Sequence, residues 1–177
     1  MERHFNLDMY IRKVPDFPKP GILFYDITSI LIQPEAFGYC IDFMVETYKD
    51  LQIDAIAAIE ARGFLFAAPF AVRRGIPLIL IRKKGKLPGK KLTKIYDLEY
   101  AQAEIEIHPD DVPQGKEVLL LDDLIATGGT LQAARELISA SGGNVTNIFG
   151  IVGLPFLNFR KTLGDIDIKT IIEYDSE

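Results

Sequence analysis

Short runs of apolar residues alternate along this chain with segments that favour helices. Five runs have the length of buried strands: Ile53–Ile59, Pro77–Ile81, Val118–Leu121, Val145–Val152 and Ile168–Tyr174. Three other segments are predicted to be helices: Gln33–Leu51, Phe64–Arg73 and Leu131–Ala140. Short strands separated by helices are typical of a parallel sheet covered on both faces, so we predict an α/β fold.

Composition narrows the class of protein further. The 177 residues are 48% hydrophobic and 25% charged, which predicts one globular domain over residues 1–177 and excludes disorder. Twenty basic against 25 acidic residues give a net charge of −5, which argues against nucleic-acid or membrane binding. The single cysteine, Cys40, excludes an intrachain disulfide and a cysteine-rich zinc site. With no apolar run of signal-peptide or membrane-spanning length, we expect a cytoplasmic protein.

Two segments depart from the alternation of strands and helices. Residues 14–28 hold three prolines close together, which excludes a regular helix and predicts an ordered arm within residues 1–33. Residues 82–101 are polar, contain glycine and proline, and lack a strong period. The alternation in 103–107 that follows predicts a half-exposed strand. Long irregular stretches in compact domains are often functional lids, so we predict a flexible loop over residues 82–106.

The strongest chemical signal is the segment Val118–Thr130. A buried strand leads to Asp122 and Asp123, and a Thr-Gly-Gly-Thr turn then precedes a helix. Ligands of parallel sheets bind at the carboxyl ends of strands, and such a turn offers N–H groups and hydroxyls to a phosphate. The two carboxylates suit ribose hydroxyls or a Mg²⁺ ion held through water. The unit predicts a ligand with both a sugar diol and a phosphate; the alternative is that these residues only end a strand and begin a helix.

Three further features each allow two interpretations. Arg62, in a turn after a buried strand, could clamp a diphosphate, or it could be a surface arginine paired with Glu60. Residues 82–94 hold seven cations and no acid, which fits either an anion site or a solvated basic loop. Phe24 could stack on a purine or lie in the core.

Taken together, these segments resemble the type I phosphoribosyltransferases, and among them the members that act on adenine. The resemblance is carried by four stretches in the family's order and spacing: Phe17–Ile27, Glu60–Phe64, Arg82–Gly89 and Val118–Thr130. It implies a central, mostly parallel sheet flanked by helices, an N-terminal base-binding arm and a flexible catalytic loop. The chain departs from the family at Tyr25, where many members have arginine, and at Gly153, where glutamate is common.

The resemblance also implies an activity. The phosphoribosyl group of phosphoribosyl diphosphate (PRPP) would be transferred to adenine in purine salvage, forming AMP and diphosphate, with Mg²⁺ as cofactor and a homodimer as the assembly. Two alternatives remain open. One is a transferase for another purine base, and the other is a regulator that binds PRPP without turnover.

Roles for individual residues follow from the same resemblance. The implied catalytic residues are Glu99, Tyr100, Asp122 and Asp123. The implied PRPP contacts are Arg62, Arg82, Lys86, Asp122, Asp123, Ala126, Thr127, Gly128, Gly129 and Thr130. The implied adenine contacts are Leu23, Phe24 and Tyr25, of which Leu23 and Tyr25 would act through the main chain. PRPP and water would supply most of the Mg²⁺ ligands, and Asp122 and Asp123 are the candidate carboxylate ligands. A cis peptide bond between Glu60 and Ala61 is implied as well.

Overall fold

A seven-stranded sheet with helices on both faces forms the centre of the computed structural model, which describes residues 5–97 and 102–176. The strands of this described part are β1 (Arg12–Val14), β2 (Phe24–Asp26), β3 (Ala55–Ile59), β4 (Leu78–Lys83), β5 (Leu92–Asp97), β6 (Gln102–Ile107), β7 (Glu117–Ile125), β8 (Asn144–Gly153) and β9 (Asp167–Glu173). The α-helices are α1 (Thr28–Leu31), α2 (Pro34–Thr47), α3 (Arg62–Arg74), α4 (Gly129–Ala140) and α5 (Phe159–Leu163).

The order of strands in the large sheet is β5-β6-β4-β3-β7-β8-β9. The five strands from β4 to β9 in this order are parallel, with Ala57 of β3 opposite both Ile79 of β4 and Leu120 of β7. Strands β5 and β6 form an antiparallel hairpin at one edge. The predicted, mostly parallel α/β sheet is therefore confirmed.

The two faces of the sheet carry separate hydrophobic clusters because successive residues of a strand point to opposite sides. On one face, Ile56 and Ala58 of β3 belong to a cluster with residues of α2 and α3. On the other face, Ala55 and Ala57 belong to a cluster with residues of α4 and α5. Burial on both faces explains why the central strands are nearly continuous apolar runs.

The helices begin and end close to the predicted positions. Helix α2 has Pro34 in its first turn but ends at Thr47, four residues before the predicted end. Helix α3 ends at Arg74 and is capped by Gly75, whose φ of 65° lies in the left-handed region that favours glycine. Within residues 5–97 and 102–176, no helix combines the length and the apolar character that crossing a membrane requires.

The segment after β4 differs from its prediction. Residues 92–97 form strand β5 in place of irregular chain. The residues of β5 alternate between half-buried and exposed. The usual pattern is reversed, because the charged Lys94 is half-buried and the apolar Ile95 is 57% exposed. Lys94 tolerates its position because it pairs with Glu136 of α4. The half-exposed strand predicted for 103–107 is wrong at Glu106, which is buried because the preceding loop folds over it.

The N-terminal arm packs on the domain as predicted, within the described residues from 5 onward. Strands β1 and β2 form a two-stranded ribbon in which Val14 lies opposite Phe24. Leu7, Ile11 and Ile27 are buried in the same cluster as α2 and α3. Burial of these side chains holds the ribbon against the body of the domain.

Candidate functional site

A cavity of about 500 Å³ lies between the carboxyl ends of β3, β4 and β7 and the β5–β6 hairpin. This is the edge of the sheet at which parallel strands present ligand-binding groups. Its polar lining consists of Glu60, Arg62, Lys83, Lys84, Tyr96, Glu104, Asp122, Asp123 and Thr130. Both signs of charge meet there, which suits a ligand that carries anionic groups and hydroxyls.

The two adjacent carboxylates of β7 have different surroundings. Asp123 is 5% exposed, and its Oδ2 accepts a hydrogen bond from Nε of Arg62 at 2.6 Å. Asp122 is half-buried, and its Oδ1 accepts the N–H of Asp123 at 2.9 Å. Burial, together with the negative charge of Asp123, raises the pKa of Asp122 well above the usual range of an aspartate. A cation or a hydroxyl-bearing ligand beside Asp122 would relieve this penalty.

A second cavity of about 140 Å³ adjoins the first and shares Asp122, Leu124 and Thr130 with it. Residues 124–131 line it, so the Thr-Gly-Gly-Thr turn forms a cup at the amino terminus of α4. Gly128 has φ 84°, and a Cβ there would stand 3.1 Å from Cγ of Leu163. The turn therefore requires glycine at this position. Free N–H groups and the helix dipole make this cup suitable for a phosphate.

A network of hydrogen bonds joins the turn after β3 to the end of β4. The Glu60 carboxylate accepts from Nε and Nη2 of Arg82, at 3.3 and 3.2 Å, and from the N–H of Lys83 at 2.9 Å. The bonds from Arg82 lower the pKa of Glu60. The Glu60–Ala61 peptide bond is cis, in agreement with the prediction. The alternative pairing of Arg62 with Glu60 is wrong, since Glu60 pairs with Arg82 and Arg62 with Asp123.

The structure brings most of the predicted PRPP residues to one place. Arg62, Asp122, Asp123 and Thr130 line the larger cavity. The smaller cavity is lined by Ala126, Thr127, Gly128, Gly129 and Thr130. Arg82 stands behind the larger cavity, bound to Glu60. Lys86 is exposed and lines neither cavity, although its carbonyl accepts from Nη1 of Arg82 at 3.0 Å.

The three predicted adenine contacts lie on the arm, outside the lining of both cavities. Phe24 is half-buried and meets Phe17 edge to face, with 5.0 Å between ring centroids. The side chain of Tyr25 is buried and stacks on Tyr174, with 4.0 Å between the ring centroids. Glu99 and Tyr100 lie outside the described residues.

The arm carries a carboxylate, Asp26, on which charges of other elements act. Hydrogen bonds from Thr28 lower the pKa of Asp26, and the positive charges of Arg12 and Arg62 lower it further. Arg62 is thus close enough to act electrostatically on the residue that ends β2.

Sequence reasoning missed Tyr96, Lys84 and Glu104 as residues of the cavity. Tyr96 of β5 lines it, and Oγ1 of Thr130 donates to the Tyr96 hydroxyl at 3.2 Å. Lys84 and Glu104 also line the cavity and pair with each other at 2.8 Å. The β-favouring residues Thr93, Ile95 and Tyr96 were the available signal, and Lys94 among them obscured it.

Metal binding at this site would depend on the ligand as well as on the protein. Among residues 5–97 and 102–176, no group of three or more His, Cys, Asp or Glu side chains could hold a metal ion. Asp122 offers a carboxylate beside the phosphate cup, while Asp123 is already engaged by Arg62. One or two carboxylates combined with substrate oxygens is the usual way in which Mg²⁺ is bound, so these residues fit a Mg²⁺ ion carried by a phosphorylated ligand.

Comparison with known proteins agrees with this geometry. The family model described as the phosphoribosyl transferase domain matches residues 26–152. A relative from Treponema denticola, named adenine phosphoribosyltransferase, is 66% identical over 97% of this chain and 90% of its own length. The crystal structure of adenine phosphoribosyltransferase from Thermoanaerobacter pseudethanolicus is 45% identical, with a TM-score of 0.91, 95% of this chain covered and 98% of that one.

A third similar protein has been crystallised with ligands. It is the adenine phosphoribosyltransferase from Trypanosoma brucei, in complex with AMP, pyrophosphate and ribose-5-phosphate. It is 28% identical, with a TM-score of 0.87, and the match covers 94% of this chain and 77% of that one. Because the family model, the close relatives and the fold agree, this chain belongs to the phosphoribosyltransferase family and, within it, to the adenine phosphoribosyltransferases.

Proposed function

We infer that this protein transfers the phosphoribosyl group of PRPP to adenine, forming AMP and diphosphate in purine salvage. The observation that carries the inference is the 66% identity, over 97% of the chain, to a relative named adenine phosphoribosyltransferase. The cavity supports it, because Asp122, Asp123 and Arg62 adjoin a cup suited to phosphate. The ligands of the Trypanosoma brucei enzyme are the two products and a part of PRPP.

In the proposed reaction, N9 of adenine attacks the anomeric carbon of the ribose while the bond to diphosphate breaks. Positive charge develops on the ribose ring, so carboxylates nearby are worth more in the transition state than in the ground state. Asp122 and Asp123 would hold the ribose diol and supply this negative charge. The turn Ala126–Thr130 would hold the 5′-phosphate.

The leaving diphosphate needs positive charge. Arg62 would supply it from the start of α3, Arg82 from the end of β4 and Lys86 from the loop that follows β4. Bound Mg²⁺ would add charge on the diphosphate, with Asp122 and Asp123 as the carboxylates nearest to it. The half-buried position of Asp122 beside the phosphate cup supports this assignment.

The N-terminal arm, residues 1–33, would bind the base. Phe24 would stack on the purine, and the main chain at Leu23 and Tyr25 would bond its edge. Glu99 would either handle a proton of the base or orient the purine, and Tyr100 would help close the site. The burial of Leu7, Ile11 and Ile27 against the domain supports an arm that is held in place to bind the base.

Residues 82–106 would act as a hood over the bound substrates. Two contacts between the hairpin and α4 support this, namely Tyr96 with Thr130 and Lys94 with Glu136. Closure would exclude water from a cationic transition state. The acidic net charge and the single cysteine support a cytoplasmic enzyme that binds no nucleic acid.

A homodimer is the proposed assembly. Leu65 and Val72 of α3 are 45% and 82% exposed, and Leu80 of the adjacent β4 is 37% exposed. We call these three residues the α3 stripe. Leu65 and Val72 are seven positions apart and so share one face of α3. Exposed apolar groups on a folded domain mark a surface for another protein, here a second copy of the chain.

Turnover assays with PRPP and Mg²⁺ test the proposed activity. Adenine, hypoxanthine, guanine and xanthine would be compared separately, with formation of the nucleotide followed by chromatography. We expect kcat/KM for adenine to exceed that for hypoxanthine at least tenfold, about 1.4 kcal/mol in transition-state binding. Equal or better use of a 6-oxopurine would favour a different base. Binding of PRPP without turnover of any base would favour a regulator.

A further inference from the structure

Glu106 of β6 is a buried carboxylate to which the proposed reaction assigns no part. It is 2% exposed, although acidic residues are rarely buried unless they are paired. It faces the loop between β4 and β5, residues 84–91, which we call the basic loop. Four lysines of the chain lie in this loop, and Lys86 is among them.

Both oxygens of Glu106 are bonded to this loop. Oε1 accepts the N–H of Gly85 at 2.8 Å and lies 3.1 Å from Nζ of Lys91, and Oε2 accepts the N–H of Leu87 at 3.2 Å. The N–H of Gly85, the ammonium of Lys91 and the N–H of Leu87 together lower the pKa of Glu106 to about 2. The carboxylate is therefore ionised at any pH at which the enzyme would be assayed.

The two N–H groups belong to the residues on either side of Lys86. Fixing Gly85 and Leu87 sets the course of the main chain at Lys86, and the burial of Leu87 (8% exposed) holds the same point by packing. Without a side-chain acceptor, this glycine-containing turn would have to be ordered by the ligand, at an entropic cost to binding.

The main chain of the basic loop also contacts Arg82. The carbonyl of Lys86 accepts from Nη1 of Arg82, and Arg82 binds Glu60 on the wall of the cavity. A continuous set of bonds thus runs from Glu106 through the basic loop to Arg82. Two of the three cations that the proposed function gives to the diphosphate, Lys86 and Arg82, depend on it.

We propose that Glu106 is a positioning residue of the diphosphate subsite, which orders the basic loop before PRPP binds and thereby places Lys86 and Arg82. This rests on the proposed function, because it assumes that these two cations bind the diphosphate. It assigns Glu106 no contact with the substrate and no effect on the 5′-phosphate cup.

Binding measurements on Glu106→Gln test the proposal. An amide cannot accept from both N–H groups and also neutralise Lys91, so the loop loses its anchor while the volume of the side chain is kept. Calorimetry with Mg²⁺ present would give the affinities for diphosphate and for AMP, which lacks the diphosphate group. We expect Kd for diphosphate to rise at least tenfold and Kd for AMP to change less than threefold. In turnover, KM for PRPP would rise tenfold while KM for adenine stays within threefold.

Asp54→Asn serves as the matched control. Asp54 also accepts a main-chain N–H, from Glu117 at 3.0 Å, but it lies at the amino-terminal ends of β3 and β7, away from the cavity. This variant should leave both affinities within twofold. Glu106→Asp is a second variant that keeps the charge but is too short to reach both N–H groups, so it should weaken diphosphate at least threefold and leave AMP unchanged.

Three results separate the possibilities. Equal weakening of diphosphate and AMP in both Glu106 variants would show a general structural role and overturn the proposal. Unchanged diphosphate affinity in both would overturn it as well. Failure of the unaltered protein to bind AMP would instead contradict the proposed function itself.

Discussion

Arg62 and Asp123, which are 61 positions apart in the sequence, form an ion pair with 2.6 Å between Nε and Oδ2. The pair joins the first residue of α3 to β7 across the floor of the cavity. It uses one of the five N–H donors of the guanidinium, so the remaining fork can bind a second anion. Asp123 thus orients the arginine that we assign to the diphosphate.

Replacing Arg62 by lysine tests this arrangement. A lysine carries the charge but cannot bind Asp123 and a diphosphate through one rigid fork. We expect Arg62→Lys to lower kcat/KM for PRPP by roughly 100-fold, about 2.7 kcal/mol. Arg73→Lys, on the same helix and paired with Asp42 at the surface, is the control and should stay within twofold. A value for Arg62→Lys within a few-fold of the unaltered enzyme would show that a single charge suffices.

Asp122→Asn is expected to stabilise the free protein. Burial and the charge of Asp123 raise the pKa of Asp122 in the folded chain above the 3.8 of an unperturbed aspartate. The folded state then binds the proton more tightly, so stability falls as the pH rises from 3.8 through the raised pKa, and the penalty is complete above it. Asparagine removes the charge and with it the penalty.

Thermal melts of the ligand-free protein measure this effect. At pH 8 we expect Asp122→Asn to raise Tm by about 2–4 °C, which is about 1 kcal/mol for a chain of this size. The gain should shrink as the pH is lowered towards 4. Asp50→Asn, at an exposed position, should show no such trend. A lower Tm for Asp122→Asn at pH 8 would mean that its carboxylate stabilises the fold.

Removal of Mg²⁺ is expected to abolish turnover. PRPP brings a dense anionic group into a cavity where Asp122 and Asp123 add further negative charge. Excess EDTA should lower kcat at least 100-fold, and added Mg²⁺ should restore it. EDTA saturated with Mg²⁺ beforehand controls for the chelator. Full activity in free EDTA would show that the side chains alone neutralise the diphosphate.

Glu99→Ala tests the hood. Glu99 follows Tyr96 by three positions in the sequence, and Tyr96 contacts Thr130 of the phosphate cup. If Glu99 acts on the base, its loss should lower kcat at least tenfold while Kd for PRPP changes less than threefold. Glu35→Ala, at an exposed position on α2, is the control. An unchanged kcat would remove Glu99 from the reaction.

Val72→Glu tests the proposed homodimer. Val72 is 82% exposed in the single chain, so glutamate there should not harm the fold, but it would place a charge in the α3 stripe. Sedimentation should show a dimer for the unaltered protein and a monomer for the variant. Met9→Glu, which is equally exposed at 79% but lies outside the stripe, should remain dimeric. A dimer that persists in Val72→Glu would place the interface elsewhere.

Sequence patterns predicted the parts of this protein that depend on local burial and local turns. The strand from Val118 continues through Asp122 and Asp123, and the turn at Gly128 begins a helix, because both follow from neighbouring residues. The partners of charged residues could not be predicted in this way. In the sequence, Glu60 is the acidic residue close to Arg62. Asp123 becomes a partner for Arg62 only because the sheet places β3 beside β7.

Strand β5 shows the same limit at the level of secondary structure. Its inward Lys94 is compatible with a strand only because Glu136, 42 positions later, supplies the opposite charge. The burial of Glu106 likewise depends on the basic loop that folds over it. A sequence pattern within one segment cannot identify Glu136 as the partner of Lys94, or the basic loop as the segment that covers Glu106.

The register of β6 on β4 restricts where this chain tolerates insertions and deletions. Glu106 lies opposite Arg82, and Ile105 opposite Lys83, at the base of the hairpin. A shift of one residue in this register would place an isoleucine where Gly85, Leu87 and Lys91 bind a carboxylate. It would also move every side chain of β6 to the opposite face of the sheet. Extra residues between β5 and β6 would leave those pairs untouched. Homologous hoods are therefore expected to vary in length at their tips and to keep a constant length at their base.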